Sequence, residues 1–171
     1  MPSLVGSEMC IRDRQRFISE GGNLLVLGSY YPMFAAESLN TLLNGYGISY
    51  DAGYQGNIIN YNDYGLSRLF EILNVSDLTS HPITNGVSGY VFGSGVKLKV
   101  SSPSQVIARY DGDPVLAVYD NNSIVGGRVA VFSNELTFYT ENLYGDDITL
   151  MDNLFNWLLG EADTSVTISS D

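Results

Sequence analysis

The residue types that carry chemistry are scarce in this sequence. There is one histidine, His81, and one cysteine, Cys10. A histidine-rich metal site is excluded by count, and a Ser-His-Asp arrangement would have to use His81. The candidate nucleophile is Ser29, in Leu27-Gly28-Ser29-Tyr30-Tyr31, where an apolar run ends and the chain must turn. That stretch lacks the Gly-x-Ser-x-Gly form of a hydrolase elbow. Pro82 pushes His81 toward extended geometry. Glu135 with Asp111 or Asp113 is the other conceivable pair, two carboxylates as in glycoside hydrolysis. Asp111-Gly112-Asp113 also reads as a tight turn of the kind Asp favours, and Ser29 as the cap of a helix opened by Pro32.

The elements that would position these groups follow from periodicity. Gln15 to Glu20 reads as the last turn of a helix, with Phe17 and Ile18 facing the core and Gly21 as its stop. Asn23 to Leu27 is nearly all apolar, which predicts a strand buried on both faces and hence a parallel sheet covered by helices. A helix from Pro32 carries Phe34, Leu39, Leu42 and Leu43 and ends at Asn44-Gly45. Ile48 and Tyr50 suggest a short strand, Tyr54 to Tyr64 strand plus loop, and Leu66, Leu69, Phe70 and Leu73 a short amphipathic helix. Strands are predicted at Tyr90 to Phe92, Val96 to Val100, Ser104 to Tyr110, Pro114 to Tyr119 and Gly127 to Phe132. A final helix from about Asp146 to Leu159 places Ile148, Met151, Leu154, Phe155, Leu158 and Leu159 on one face, with Trp157 in the core and Gly160 as its stop. The polar residues 161–171 read as a linker or tail.

In such sheets ligands bind outside the carboxyl ends of the strands. The candidate rim is therefore Gly28, Ser29, Tyr30, Tyr31, Asn134, Glu135, Phe138 and Tyr139. Tyrosine pairs an apolar ring with a polar tip, which suits sugars and protein partners. Either a protein partner or a carbohydrate-like ligand fits that composition. No catalytic residue, metal or cofactor is assigned.

The chain has 171 residues and a net charge of −11, with 44% hydrophobic residues. That length is one domain by prior. Outside residues 1–14 the basic residues are Arg16, Arg68, Lys97, Lys99, Arg109 and Arg128, with no cluster of the kind nucleic-acid phosphates need. No apolar run approaches the roughly 20 residues of a membrane helix, so no membrane insertion is expected. Asn74-Val75-Ser76 and Asn121-Asn122-Ser123 fit the glycosylation sequon, which matters only outside the cytoplasm. An extracytoplasmic or cell-surface location is favoured.

Residues 4–14 resemble the in-frame translation of a sequencing adapter. On that reading 1–14 is an artefact, 15–160 is the domain, and the native protein is truncated on its N-terminal side. No signal-peptide core is present in this segment.

The order of motifs across Gln15 to Gly160 carries a family resemblance. Gly21-Gly22 precedes an apolar strand, and a helix then ends in Asn44-Gly45-Tyr46-Gly47. His81-Pro82-Ile83-Thr84-Asn85-Gly86-Val87 follows, then Asp111-Gly112-Asp113-Pro114-Val115, Gly127-Arg128-Val129 and Asn153 to Leu158. This resembles the class I glutamine amidotransferase-like superfamily, in its non-catalytic branch seen in gliding-motility auxiliary and intraflagellar transport proteins. The resemblance implies a flavodoxin-like three-layer sandwich with a mainly parallel sheet, N-terminally truncated here. The family's catalytic Cys is replaced by Ser29, and the late His-x-Glu position holds Ser133-Asn134-Glu135. Glutaminase activity is not expected, because both the thiolate and its imidazole are missing. The expected function is a non-catalytic ligand- or protein-binding module of a larger surface, transport or protease-associated protein. The alternative is a hydrolase acting through Ser29 or acidic residues at the same rim.

Overall fold

A computed structural model describes residues 3–29, 36–51, 58–59, 73–92, 95–121, 127–138 and 146–160. The chain runs through α1 (Ser3–Ser19), β1 (Leu24–Leu27), α2 (Ala36–Leu42), β2 (Ile48–Tyr50), β3 (Ile58–Ile59), β4 (Leu73–Val75) and β5 (Asp77–Leu78). It continues through β6 (Tyr90–Phe92), β7 (Gly95–Val96), β8 (Leu98–Val100), β9 (Gln105–Tyr110), β10 (Asp113–Asp120), β11 (Arg128–Phe132) and α3 (Asp147–Leu159). Single 3-10 turns occupy Pro82–Thr84 and Leu136–Phe138.

The main sheet has the order β1-β11-β10-β9-β5. Only β1 and β11 are parallel, in register from Leu24 with Val129 to Leu27 with Phe132. The other three pairings are antiparallel, as are the small pairs β2–β8, β3–β7 and β4–β6. The sheet is thus mixed and mostly antiparallel, which overturns the expectation of a mainly parallel, flavodoxin-like sandwich. The cause is chain length between strands. A parallel neighbour needs a crossover of a dozen or more residues. Only Asp111 (φ 49°) and Gly112 (φ 83°) separate β9 from β10, the pair of positive φ values that a two-residue hairpin requires. The segment between β10 and β11 is also too short for a crossover helix.

Burial on both faces holds for β11 and only in part for β1, where Val26 is buried and Leu24, Leu25 and Leu27 are half-buried, and it does not imply parallel pairing. In β11, Val129, Ala130, Val131 and Phe132 are all buried, as are Val115 to Val118 in antiparallel β10. Ala130, Phe132, Leu116 and Val118 face one cluster with Leu150, Leu154, Trp157 and Leu158 of α3. Val129, Val131 and Ala117 face the other, with Val26, Ile18, Leu43, Ile48 and Tyr50. Burying a large apolar side chain contributes about 1.5–3 kcal/mol, so both faces of this sheet stabilise the fold.

Local signals explain the element ends. Gly21 (φ 98°) closes α1 in the left-handed region, with its N–H on Ile18 O at 3.1 Å and the Gly22 N–H on Phe17 O at 2.8 Å. Gly160 (φ 80°) ends α3 in the same way, donating to Asn156 O and Trp157 O. Asp147, wholly buried at the first turn of α3, accepts from the Val91 N–H at 2.7 Å and so ties the helix to β6.

Some expectations need correction. Phe17 is 55% exposed, and Ile148, Phe155 and Leu159 point outward from α3 at 58%, 47% and 70% exposure. The buried stripe of α3 runs instead through Leu150, Leu154, Trp157 and Leu158. Leu73, expected at the end of a helix, begins β4, while Leu66, Leu69 and Phe70 lie outside the described residues. The expected strand Val96 to Val100 is divided at Lys97, so β7 pairs with β3 and β8 with β2. Helix α1 includes residues 4–14.

Candidate functional site

The carboxyl ends of β1 and β11 meet because Gly28 lets them. Its N–H donates to Phe132 O at 2.9 Å. A Cβ on Gly28 would lie 2.3 Å from Ser133 O and 2.7 Å from the Tyr50 ring, so no other residue fits without displacement. The next residue, Ser29, directs its Oγ at Glu135 and donates to Oε1 at 2.8 Å. The second carboxylate oxygen of Glu135, Oε2, is buried and has no hydrogen-bond partner among the described residues.

The floor under this pair is polar and closed. Ser133, Asn134 and Thr137 are buried to within 1% of complete. Ser133 Oγ donates to Val96 O at 2.8 Å, and Thr137 Oγ1 donates to Val91 O at 2.9 Å. A Cβ on Gly95 would lie 2.4 Å from Ser133 Oγ, so the β7 backbone is also close-packed here. The Tyr50 hydroxyl donates to Phe132 O at 2.9 Å. Burial, with a smaller contribution from the Glu135 charge, raises the Tyr50 pKa well above its ordinary value, so the phenol stays neutral.

The structure therefore brings Gly28, Ser29, Asn134 and Glu135 together at one sheet end. Asn134 lies beneath the rim rather than on it. Phe138 is half-buried, edge-on to Phe132 with ring centroids 5.0 Å apart, and its N–H donates to Glu135 O at 2.9 Å. Tyr30, Tyr31 and Tyr139 lie outside the described residues. The reading of Ser29 as a cap for a helix from Pro32 falls partly outside them too, and within them its hydroxyl is committed to Glu135. Tyr50 and Ser133 were missed by sequence reasoning. The signal available for them was the glycine at 28, which marks a close approach without naming what approaches.

His81 is not near this rim. It precedes the turn Pro82–Thr84, where its Nδ1 accepts from the Ile83 N–H at 3.2 Å and its own N–H donates to Thr84 Oγ1 at 3.1 Å. Its ring meets Trp157 edge-on at 5.4 Å. The Arg128 guanidinium lies 5.1 Å from the same indole, and Arg128 Nε is 3.4 Å from Asp120 Oδ2. Arg128 begins β11 and Glu135 follows its end, so His81 and Ser29 belong to opposite ends of that strand. A five-residue strand separates them by roughly 13 Å at the usual rise of about 3.3 Å per residue. No Ser29–His81 pair forms. Burial lowers the His81 pKa, with Asp120 opposing and Arg128 reinforcing the shift. Neither turn aspartate joins Glu135 as a free partner. Asp113 is held by Lys97 at 2.8 Å, and Asp111 sits exposed in the hairpin turn.

Among the described residues no group of three His, Cys, Asp or Glu is placed to hold a metal ion. No described helix is long and apolar enough to cross a membrane.

Fold and site together describe a mixed α/β domain whose strand-end rim carries a hydrogen-bonded Ser29–Glu135 pair. The fold is similar to the solved structure titled "mmIFT52 N-terminal domain", with a TM-score of 0.68 and 22% identity over 88% of this chain and 71% of that one. It is also similar to "Cytoplasmic Protein STM1381 from Salmonella typhimurium LT2", with a TM-score of 0.65 and 18% identity over 87% of this chain and 60% of that one. "Cytoplasmic Protein STM3548 from Salmonella typhimurium" follows, with a TM-score of 0.62 and 18% identity over 86% and 59% of the two chains. The chain thus spans about three fifths of each Salmonella protein. No protein-family model and no curated protein sequence matches it. The likeness is one of fold. It agrees with the intraflagellar transport part of the resemblance and lends no support to the glutamine amidotransferase-like superfamily.

Proposed function

We propose that the chain is a non-catalytic protein-binding module that takes a basic segment of its partner at the Ser29–Glu135 rim. The observation that carries this reading is the Glu135 carboxylate. One oxygen is held by Ser29, and the other is buried without a partner among the described residues. A buried carboxylate oxygen left unpaired is costly, and a Lys or Arg side chain of a partner that displaces the atoms covering it would satisfy it with a strong, charge-assisted hydrogen bond. The net charge of −11 steers basic segments toward the molecule. The Ser29 hydroxyl points its proton at Glu135 and has no imidazole beside it, which favours binding over hydrolysis.

A peptide and glycan array probed with the purified chain tests the reading. Capture of Lys- or Arg-bearing peptides is expected, weakened about tenfold or more by Glu135→Gln, as loss of one charged hydrogen bond predicts. Glu20→Gln makes the same change in net charge on the exposed surface of the chain, beside Arg16, and should leave capture intact. Equal loss in both variants would reduce the effect to bulk charge and defeat the rim. Capture of glycans instead would assign a carbohydrate ligand. Turnover of an ester or amide panel that Ser29→Ala abolishes would establish the hydrolase.

A further inference from the structure

Strand β1 has β11 on one side and, among the described residues, no strand on the other. The Gly28 N–H points to β11. Backbone groups alternate sides along a strand, so Leu24 and Val26 also turn theirs toward β11. The N–H and C=O of Leu25 and Leu27 then face the open side. Soluble proteins guard such a row with charges, proline, bulges or a covering element. Leu24-Leu25-Val26-Leu27 has no charge and no proline, pairs with β11 without a register break, and keeps Val26 buried and its leucines half-buried. By sequence it is an interior strand, and among the described residues it is an edge by position.

The entry to β1 says what belongs beside it. The last turn of α1 is fastened to the domain. Gln15 Nε2 donates to Thr41 O at 3.1 Å, and Ile18 O accepts from the Gly127 N–H at 3.0 Å. Ile18 is buried against Val26, Val129 and Val131 on one face of the sheet. From there the chain passes through Gly21 and Gly22 straight into β1. A helix packed on a sheet face and delivered by a short turn into a strand with a parallel neighbour has the form of the second half of a βαβ unit. The first strand of such a unit lies parallel to the strand that the helix enters. The β11 side of β1 is taken, so the open side is the adjacent position left for it. The solved structures with this fold are longer chains, of which this one covers 71%, 60% and 59%.

We propose that the open edge of β1 receives a parallel, apolar strand from chain that lies upstream of Gln15 in the parent protein, and that residues 15–160 are the later part of a larger sheet. Its backbone pairs with the N–H and C=O of Leu25 and Leu27, and its side chains cover the exposed halves of Leu24, Leu25 and Leu27.

The test is to amplify the gene upstream of the Gln15 codon from the source DNA. The protein encoded from that upstream start through Gly160 is then compared with the 171-residue chain by amide hydrogen exchange and solution mass. The longer protein should be monomeric, with the Leu25 and Leu27 amides exchanging at least about a hundredfold more slowly than in the shorter chain. If the shorter chain folds only as the longer protein, protection of those two amides there is the supporting result. Three outcomes overturn the proposal. The gene reads Met1 to Arg14 as written with no coding sequence before it. The longer protein leaves Leu25 and Leu27 unprotected. The 171-residue chain dimerises with both amides protected, which makes a second copy the occupant.

Discussion

At the amino end of β11, Arg128 reaches the Trp157 ring, the Trp157 carbonyl and Asp120, while His81 and Thr84 close a reciprocal capping box beside them. At the carboxyl end, Ser29 holds one oxygen of Glu135 and the other is buried and, among the described residues, unpaired. The two ends share one strand and one hydrophobic core, yet among the described residues a buried side-chain oxygen without a hydrogen bond is found at the Glu135 end and not at the Arg128 end. Completed networks stabilise and fix a conformation, whereas an incomplete one retains free energy that a partner can release on binding. The single histidine, which chemistry would nominate first, lies at the end that does structural work.

Substitution at the two ends should sharpen that contrast. Trp157→Ala removes the indole on which His81 and Arg128 rest and empties a site that is 2% exposed. It should cost about 3–5 kcal/mol in a denaturant melt and leave rim binding intact in whatever fraction stays folded. Weakened binding with little loss of stability would mean that the ends are coupled. Gly28→Ala drives a Cβ into the Ser133 carbonyl and the Tyr50 ring. It should cost about 1–3 kcal/mol and also disturb capture at the rim, since it moves Ser29 relative to Glu135; an unaltered melting curve would show that the strand ends are not close-packed as described.

The smallest effect is one of pH. The His81 pKa is lowered by burial, so the unfolded chain binds the proton more readily than the folded one. The stability that the neutral ring contributes is therefore present above the ordinary histidine value of 6.5 and is lost as pH falls from there through the folded value. Protonation also removes the Nδ1 acceptor that caps Ile83. Asp146 titrates in a separate window. Its pKa is lowered by the hydrogen bonds from Ser88, so its contribution is lost only as pH falls below 3.8 through the folded value. His81→Asn keeps a capping side chain without the titration and should flatten stability between pH 7 and 5; a slope unchanged in this variant would place the effect elsewhere.

Much of the element pattern was legible. Asp111-Gly112-Asp113 announced a tight turn between two strands, Gly21 and Gly160 announced helix ends, and the run from Gly127 to Phe132 announced a buried strand. Pairing direction was not legible from burial. It was legible from connection length, because the two-residue link between β9 and β10 already forbade a crossover. Helix faces were misjudged where an apolar side chain lies just off the buried stripe, as for Phe155 beside Leu154. At the site, Ser29 and Glu135 were both picked from strand ends, but their hydrogen bond joins residues far apart in sequence. The depth of Asn134 depends on Thr137 and on the β6 and β7 backbones, contacts that no local pattern encodes.

The lone parallel pair also sets an order of assembly. The β9–β10 hairpin closes over a two-residue turn, an event of about 1–10 μs in isolated hairpins, and β11 can add after a short connection. Leu24 meets Val129 only when the two ends of the sequence find each other, and such non-local contacts form slowly because the loop must be closed before they reward it. Among the described pairings of the main sheet, β1–β11 therefore carries the longest loop closure. Opening of that pair would carry Ser29 off Glu135 and leave the β9–β10 hairpin, closed by its own turn, intact.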